Sequence, residues 1–437
     1  MISYIIGINF GHNETTASYY DLQLNCVKNL IIDDKSTSTN KVESAVFRNV
    51  KTGEWQIARD FRDYNSPDFA RNFIVPVNEM TYKTKDAFAI FVKLVFVQIL
   101  KNQSFLCFNE QTGERNFEVY VSCPFGSVKD EASQIRNYKK FFTDIIPIEW
   151  IISDSMATYF KIRKERELSK SSVLLIDIDS LFINFVAYDE NGKLTYYNGY
   201  SHGNSAIENL IYKYFEKNDA DFNKAKQEGE NLCARPDISW RNCVLYYIKR
   251  QKDYFYDMEL SSLVLDLSNR QISGANAKKR IFYACEISKS NLEDEILAPY
   301  CQTLLNDIND VKNSLVYDRI GMPEVVVLTG AASHMPWLLR LVKDSFPDSC
   351  VYWDWENMVS VGLAYYGVAI HKMKPAMEKL KIAIATVFHE FNVQSYSTMF
   401  TDYVISRMQE FLEDEHMLEY AKENTNKQKE TIRLIKS

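Results

Sequence analysis

The sequence predicts a mixed α/β protein, because short apolar runs alternate with amphipathic stretches between residues 4 and 370. In three stretches, 88–99, 130–142 and 205–215, apolar residues recur three or four positions apart, as they do in amphipathic helices. The runs predicted to be strands are 4–10, 16–21, 119–122, 148–153, 173–178, 183–189 and 324–328. Two passages, 4–21 and 172–189, share one plan of strand, small polar turn and second strand. They indicate an internal duplication.

Length and charge narrow the class of protein. A chain of 437 residues is too long for one ordinary core, so we expect more than one domain. The net charge of −7 argues against broad binding to nucleic acid or to anionic membranes. The first residues lack the pattern of a signal peptide, and the apolar run 87–100 is too short to span a bilayer. The eight cysteines include no CxxC pair, so we expect reduced thiols and a cytoplasmic location.

Three features point to ligand binding or close packing. Residues 7–16 run from a strand through a tight polar turn into a second strand, and such a turn can direct backbone N–H groups at phosphate oxygens. A plain hairpin turn is the alternative. Residues 324–336 form an apolar strand that ends in small residues, which let a ligand approach the backbone, although simple strand–helix packing has the same pattern. Residues 358–370 predict a buried helix with a small, tightly packed face at Gly362, Ala364 and Gly367.

The order of these features resembles the superfamily of actin, sugar kinases and heat-shock ATPases, and the DnaK-type seventy-kilodalton chaperones are most similar. Residues 69–74, 119–124, 152–157 and 199–209 also resemble that family's segments. The resemblance implies a two-lobed actin-like ATPase fold with duplicated ribonuclease-H-like lobes around a nucleotide cleft. Lobe I would span 1–170 with an outer subdomain at 36–100. Lobe II would span 171–370 with an outer subdomain at 206–290, and 371–437 would form a helical extension.

The same resemblance implies binding of ATP or ADP with Mg²⁺. It gives catalytic roles to Arg71, Asp154 and Asp177, and magnesium, through water, to Asn9 and Asp177. The residues it assigns to nucleotide contacts are Asn9, Gly11, His12, Asn13, Glu14, Thr15, Asp179, Ser180, Gly203, Gly330, Ala331 and His334.

Several of these positions depart from the family pattern. The family's aspartate, catalytic lysine and glutamate are replaced by Asn9, Arg71 and Asp154, and a later aspartate is replaced by Asn184. His334 stands where the family usually has an arginine that stacks on adenine, and an imidazole can also stack.

The second phosphate loop departs most. Its glycine triplet is replaced by residues 179–181, so side chains crowd the phosphates. The charge of Asp179 at ~4 Å from a phosphate would cost about 4 kcal/mol at an effective dielectric of about 20. A Mg²⁺ or Ca²⁺ ion, or a loop that bends away, would relieve this cost. We therefore expect weak nucleotide binding and slow or absent hydrolysis.

These expectations favour an ATP-binding, heat-shock-chaperone-like protein that lacks the family's β-sandwich substrate domain and responds to nucleotide by binding a partner. The alternatives are an actin-like filament ATPase of plasmid segregation, a pseudo-ATPase, and a sugar-kinase-like phosphotransferase with Asp154 or Asp179 as base. Residues 376–391 and 399–412 have helical periodicity with an apolar face, which either packs on a lobe or binds a protein partner or a second copy.

Overall fold

The computed structural model describes residues 2–33, 40–59, 63–75, 77, 80–123, 131–166, 168, 170–233, 236–267, 283–330, 332–354 and 356–390. The chain divides into two compact units, Met1–Ala369 and Ile370–Ser437. The predicted helix at 399–412 and the site residue Ala331 lie outside the described residues.

The first unit contains sixteen described strands. They are β1 (Tyr4–Phe10), β2 (Glu14–Asp21), β3 (Cys26–Asn29), β4 (Lys41–Glu43), β5 (Ala45–Arg48), β6 (Trp55–Ile57), β7 (Ala70–Arg71), β8 (Phe117–Cys123), β9 (Ile148–Ser153), β10 (Val173–Ile178), β11 (Ile183–Tyr188), β12 (Leu194–Tyr200), β13 (Ser262–Asp266), β14 (Ala284–Ser288), β15 (Val325–Thr329) and β16 (Cys350–Trp353). The described α-helices are α1 (Tyr82–Asn102), α2 (Glu131–Thr143), α3 (Asp154–Glu165), α4 (Ser205–Asn218), α5 (Ala220–Leu232), α6 (Pro236–Asp257), α7 (Ala298–Tyr317), α8 (Pro336–Ser345) and α9 (Met358–Glu390).

Two mixed sheets have the same strand order and the same strand directions. The first runs β3-β2-β1-β8-β9, with β4 also paired to β2, and the second runs β12-β11-β10-β15-β16. In each sheet the first three strands are antiparallel and the remaining pairings are parallel. The predicted α/β class is confirmed, and the two passages predicted to be duplicated form the central hairpins β1–β2 and β10–β11.

Equivalent helices follow equivalent strands in the two halves. Helices α2 and α8 follow β8 and β15, and α3 and α9 follow β9 and β16. The predicted small face at the start of α9 is confirmed: a Cβ on Gly362 would lie 1.8 Å from the carbonyl oxygen of Ala157 in α3, and one on Gly367 would lie 2.4 Å from Ile5. On the strand side, a Cβ on Gly7 would lie 2.1 Å from the carbonyl oxygen of Ser360. The backbones therefore touch where α9 crosses α3 and β1.

Smaller elements lie outside the two main sheets. Strands β5, β6 and β7 form a three-stranded sheet, and β13 and β14 form a two-stranded one. They fall within the segments 36–100 and 206–290. Helices α4, α5 and α6 pack on one another around buried Trp240, whose ring lies against Gly229. Among the described residues, no helix is long and apolar enough to cross a membrane. All eight cysteines are free thiols.

Candidate functional site

The turn between β1 and β2 is tight and supported from behind. A Cβ on Gly11 would lie 2.6 Å from the carbonyl oxygen of Glu14, so a side chain does not fit there. The hydroxyl of Ser44 donates to the carbonyl oxygen of Gly11 at 2.5 Å and lies 2.9 Å from Oγ1 of Thr15. Asn9, near the end of β1, accepts a hydrogen bond from the Ser122 hydroxyl at 2.9 Å. The turn is thus fixed by Ser44, which lies between β4 and β5, while Asn9 at its start is held by Ser122 of β8.

The ends of β10 and β15 approach each other at Gly330. This residue has φ +91°, and a Cβ on it would lie 2.4 Å from the carbonyl oxygen of Ile178 and 2.6 Å from Oδ1 of Asp177. Both the positive φ and the lack of space require glycine. Asp177 is paired across the sheet with Asn184 on one side and Thr329 on the other. The carboxylate therefore projects where two neighbouring strands end.

A third element brings Asp154 to the same place. Asp154 is the first residue of α3, and the hydroxyl of Ser153 caps this helix by accepting from the backbone N–H of Met156 at 3.3 Å. One carboxylate oxygen of Asp154, Oδ1, is buried and has no hydrogen-bond partner among the described residues. It is an unsatisfied acceptor in the lining of a cleft.

These elements line one cleft with a volume of about 190 Å³. The lining includes six carboxylates and two lysines. Its residues are Asn9, Gly11, Asn13, Glu14, Thr16, Lys41, Asp154, Thr158, Asp177, Asp179, Lys249, Asp253, Asp257, Thr329, Gly330, His334, Asn357, Met358 and Val359. Nine of the residues proposed from the sequence are brought together here.

The other proposed residues lie elsewhere. His12 belongs to the turn between β1 and β2, the first turn, but its side chain is buried and its Nδ1 lies 3.2 Å from Oδ2 of Asp179. Thr15 and Ser180 are fully buried, and Gly203 packs against the loop between β10 and β11, where a Cβ on it would lie 2.3 Å from the carbonyl oxygen of Asp179. Arg71 does not line the cleft. It lines a neighbouring pocket of about 160 Å³, which shares Asn13 and Lys249 with the cleft.

Helix α6 contributes residues that sequence reasoning missed. Lys249, Asp253 and Asp257 line the cleft, and Lys252 is buried beside them. Their spacing of three or four residues marks one polar face in a helix rich in aromatic residues. That polar stripe was the available signal.

Lys249 in α6 forms ion pairs with a glutamate of β2 and a glutamate of β4. Its Nζ lies 2.8 Å from Oε1 of Glu14 and 3.2 Å from Oε1 of Glu43. The charge of Lys249 lowers the pKa of Glu14 to about 2 against the effect of burial. Burial raises the pKa of Glu43 despite the same lysine. One lysine therefore holds one carboxylate firmly ionised.

Three aspartates that line the cleft, Asp154, Asp177 and Asp179, affect one another's pKa values. Burial and the charge of Asp179 raise the pKa of Asp154 to about 7, although the Ser122 hydroxyl and His12 oppose the shift. Burial, with the charges of Asp179 and Asp154, raises the pKa of Asp177 well above its usual range. Burial also acts to raise the pKa of Asp179, but the hydrogen bond and charge of His12 outweigh it and lower this pKa. The negative charge is thus concentrated on Asp179.

The part of the chain with described positions contains no group of three or more His, Cys, Asp or Glu side chains arranged to hold a metal ion. The carboxylates are nevertheless oxygen donors of the kind that Mg²⁺ and Ca²⁺ prefer. A cation at this site would therefore need ligands beyond these side chains, such as phosphate oxygens.

The raised pKa of Asp154 predicts a pH-dependent stability. Because its folded-state pKa of about 7 exceeds its ordinary value of 3.8, the bound proton stabilises the fold fully below pH 3.8, and this contribution is lost as pH rises through 7. Asp154→Asn cannot ionise. We expect its melting temperature to exceed that of the unsubstituted protein by about 2 °C or more at pH 8, with little difference at pH 4.5. Equal differences at both pH values, or the same trend in exposed Asp348→Asn, would contradict the assignment.

No protein-family model and no curated protein matches the chain.

Proposed function

We propose that this is a nucleotide-binding protein with the two-lobed fold of actin and the heat-shock ATPases, which holds ATP or ADP with Mg²⁺ in the acidic cleft. One observation carries the proposal. Two sheets of identical strand order contribute their central hairpins to a single cleft, together with the glycine turn at Gly330. As a chaperone-like protein it would convert nucleotide state into binding of a partner, for which the sequence offers the apolar helical patterns of 376–391 and 399–412.

The strand ends support a ligand at this position. The carboxyl ends of β1, β9, β10 and β15 carry Asn9, Asp154, Asp177 and Gly330 to the cleft. In open α/β sheets, ligands bind outside the carboxyl ends of the strands. The convergence of four such ends from two sheets favours a binding function over plain packing of the turns.

The residues present fit a nucleotide with its cation. The turn around Gly11 and the backbone at Gly330 would face the ligand, and His334 would lie beside the base. Asp154 and Asp177 would hold the cation, directly or through water, and the unsatisfied Oδ1 of Asp154 is an acceptor available for this purpose. Magnesium, when bound, supplies positive charge that offsets repulsion between these carboxylates and the phosphates.

Slow hydrolysis follows from the same residues. Phosphoryl transfer depends on placed charge and an oriented water, and a displacement of about 1 Å can cost on the order of 100-fold in rate. Asn9 brings no charge, its side-chain oxygen already accepts from Ser122, and Arg71 lines the adjoining pocket instead of the cleft. We expect a turnover number below ~1 s⁻¹, the low end for enzymes. Phosphate release assays measure the turnover number. We expect Asn9→Asp combined with Asp179→Gly, Ser180→Gly and Leu181→Gly to raise it.

Calorimetry with ATP and ADP tests the proposal. We expect micromolar or weaker binding with Mg²⁺ and a clear loss of affinity when Mg²⁺ is chelated, because the cleft is strongly acidic. Nucleotide at 100 times its Kd should stabilise the protein by about 2.7 kcal/mol. The matched control is Gly330→Val, in which the side chain would meet Asp177 and the backbone of Ile178. Absence of binding at millimolar nucleotide would contradict the proposal.

A second candidate is a pseudo-ATPase that has lost nucleotide binding. It is favoured by the charge of the cleft, whose six carboxylates face only two lysines among the described lining residues. The same calorimetric experiment separates the two, since a pseudo-ATPase would give no heat with either nucleotide.

A further inference from the structure

The second loop, residues 179–182 between β10 and β11, is held from behind by the start of α4. The carbonyl oxygens of Asp179, Ser180 and Leu181 accept from the backbone N–H groups of Asn204 at 2.7 Å, Ser205 at 2.9 Å and Gly203 at 3.0 Å. A Cβ on Gly203 would lie 2.3 Å from the carbonyl oxygen of Asp179, so the two segments are in direct contact. The loop is thus a fixed feature whose carbonyl oxygens are directed to α4.

The carboxylate of Asp179 lies on the other side of this loop. Its Oδ2 accepts a hydrogen bond from Nδ1 of His12 at 3.2 Å, and the backbone N–H of Ser180 also interacts with it. The His12 ring is 4% exposed and packs in a T-shaped arrangement with the ring of Phe182, so it has little freedom to turn away. The Asp179 side chain remains 31% exposed and lines the cleft. One carboxylate therefore bridges the first turn and the second loop.

The donors that Asp179 uses are those that a bound anion would need. His12 Nδ1 and the Ser180 N–H come from the two facing turns, and both point at one negatively charged group. A carboxylate and a phosphate are recognised by the same kinds of charge-assisted hydrogen bonds. A phosphate group entering here would meet the charge of Asp179 and would find its donors already occupied.

We propose that the first turn and the second loop form an anion subsite, which the carboxylate of Asp179 fills in the free protein and which a phosphate-bearing ligand occupies only by displacing it. This inference rests on the proposed nucleotide-binding function and identifies the group that sets its phosphate affinity. Removal of the charge at Asp179 frees His12 and leaves the loop in place, because the loop is held through its carbonyl oxygens by α4.

Calorimetry with inorganic pyrophosphate, in EDTA and in Mg²⁺, tests the subsite on the full chain. Asp179→Asn is expected to bind pyrophosphate at least about 10-fold more tightly than the unsubstituted protein, because a like-charge contact is removed. The matched control is Asp257→Asn, which removes one negative charge from the same cleft without touching His12. Its expected gain is below about twofold, since longer-range charge effects are screened. In Asp179→Asn with His12→Ala the gain should disappear.

Several results would overturn the inference. Pyrophosphate binding to Asp179→Asn that is no tighter than to Asp257→Asn would show that only net charge matters. If Asp179→Asn binds pyrophosphate more weakly than the unsubstituted protein does in Mg²⁺, Asp179 is a cation ligand. Melting curves establish that each variant is folded, and Asp179→Ser provides a second test should the asparagine variant not fold.

Adenosine and ATP separate this inference from the proposed function. Tighter pyrophosphate binding without any binding of adenosine or ATP would support the subsite and contradict the nucleotide function. Equal ATP affinity of the unsubstituted protein and Asp179→Asn, with pyrophosphate also unchanged, would support the function and overturn the subsite.

Discussion

Alanine in place of Lys252 is expected to lower the free energy of unfolding by about 3–5 kcal/mol, the cost of breaking a buried ion pair. Lys252 is fully buried, and its Nζ lies 2.5 Å from Oε1 of Glu208 and 2.6 Å from Oδ1 of Asn204. Without the lysine, the Glu208 carboxylate stays buried and uncompensated. Burial already raises the pKa of Glu208 even with the lysine present. Urea denaturation measures the loss.

Two variants test the cause of that loss. Lys226→Ala breaks an ion pair in which Nζ lies 2.8 Å from Oε1 of Glu216, and both side chains are about one-third exposed. Because exposed ion pairs contribute little, we expect the free energy of unfolding to change by less than about 1 kcal/mol. Lys252→Met with Glu208→Gln removes both charges and should recover much of the stability. If the double variant is as unstable as Lys252→Ala, lost packing rather than the unpaired charge explains the effect.

The ion pair of Lys252 is also connected to the cleft through Asn204. The side-chain oxygen of Asn204 accepts a hydrogen bond from the Lys252 ammonium, and the backbone N–H of Asn204 donates to the carbonyl oxygen of Asp179. Lys252 thus connects α6 to the segment that holds the second loop. We infer that this lysine fixes the loop as well as the helix pair.

Valine in place of Gly362 is expected to destabilise the protein by about 3 kcal/mol or more, at the upper end for overpacking. The new Cβ would lie 1.8 Å from the carbonyl oxygen of Ala157 and 2.4 Å from its carbonyl carbon. These are backbone atoms of α3, so a side-chain rotation cannot relieve the overlap. Thermal denaturation measures the effect.

Gly53→Ala is the control for the loss of a glycine in itself. Gly53 has φ +72° with open space around it, so alanine there costs only the backbone strain of about 1–2 kcal/mol. A similar loss in Gly53→Ala and Gly362→Val would mean that the crossing of α9 and α3 tolerates a side chain.

The central strands could be predicted because their local patterns are unambiguous. Residues 4–10, 148–153 and 173–178 form β1, β9 and β10 with the predicted bounds, since each is an apolar run that ends at polar or small residues. Strand β12 was missed. All seven of its residues are half-buried and Tyr196 and Tyr197 are adjacent, so hydrophobic alternation is weak. Strands β5 to β7 were missed because two to four residues carry too little pattern.

The sequence could predict the site residues that lie at strand ends. It could not predict those whose position depends on how helices and small sheets pack. Gly11 and Gly330 directly follow apolar strands and Asp177 lies near the end of one, so their convergence follows from the duplicated sheets. Lys249 and Asp253 lie inside a helix whose orientation depends on its packing against α4 and α5. Arg71 lies in β7, and its placement in the adjoining pocket depends on how the small sheet packs.

A crystal structure of the protein with Mg²⁺ and a non-hydrolysable ATP analogue would show whether nucleotide occupies the acidic cleft. We expect density for the nucleotide in the cleft between the turn at Gly11, the loop after Asp177 and the backbone at Gly330. We also expect a cation near Asp154 and Asp177, and an Asp179 carboxylate moved away from His12. Nucleotide bound outside this cleft, or a cleft without density at saturating analogue, would show that the cleft is not a nucleotide site.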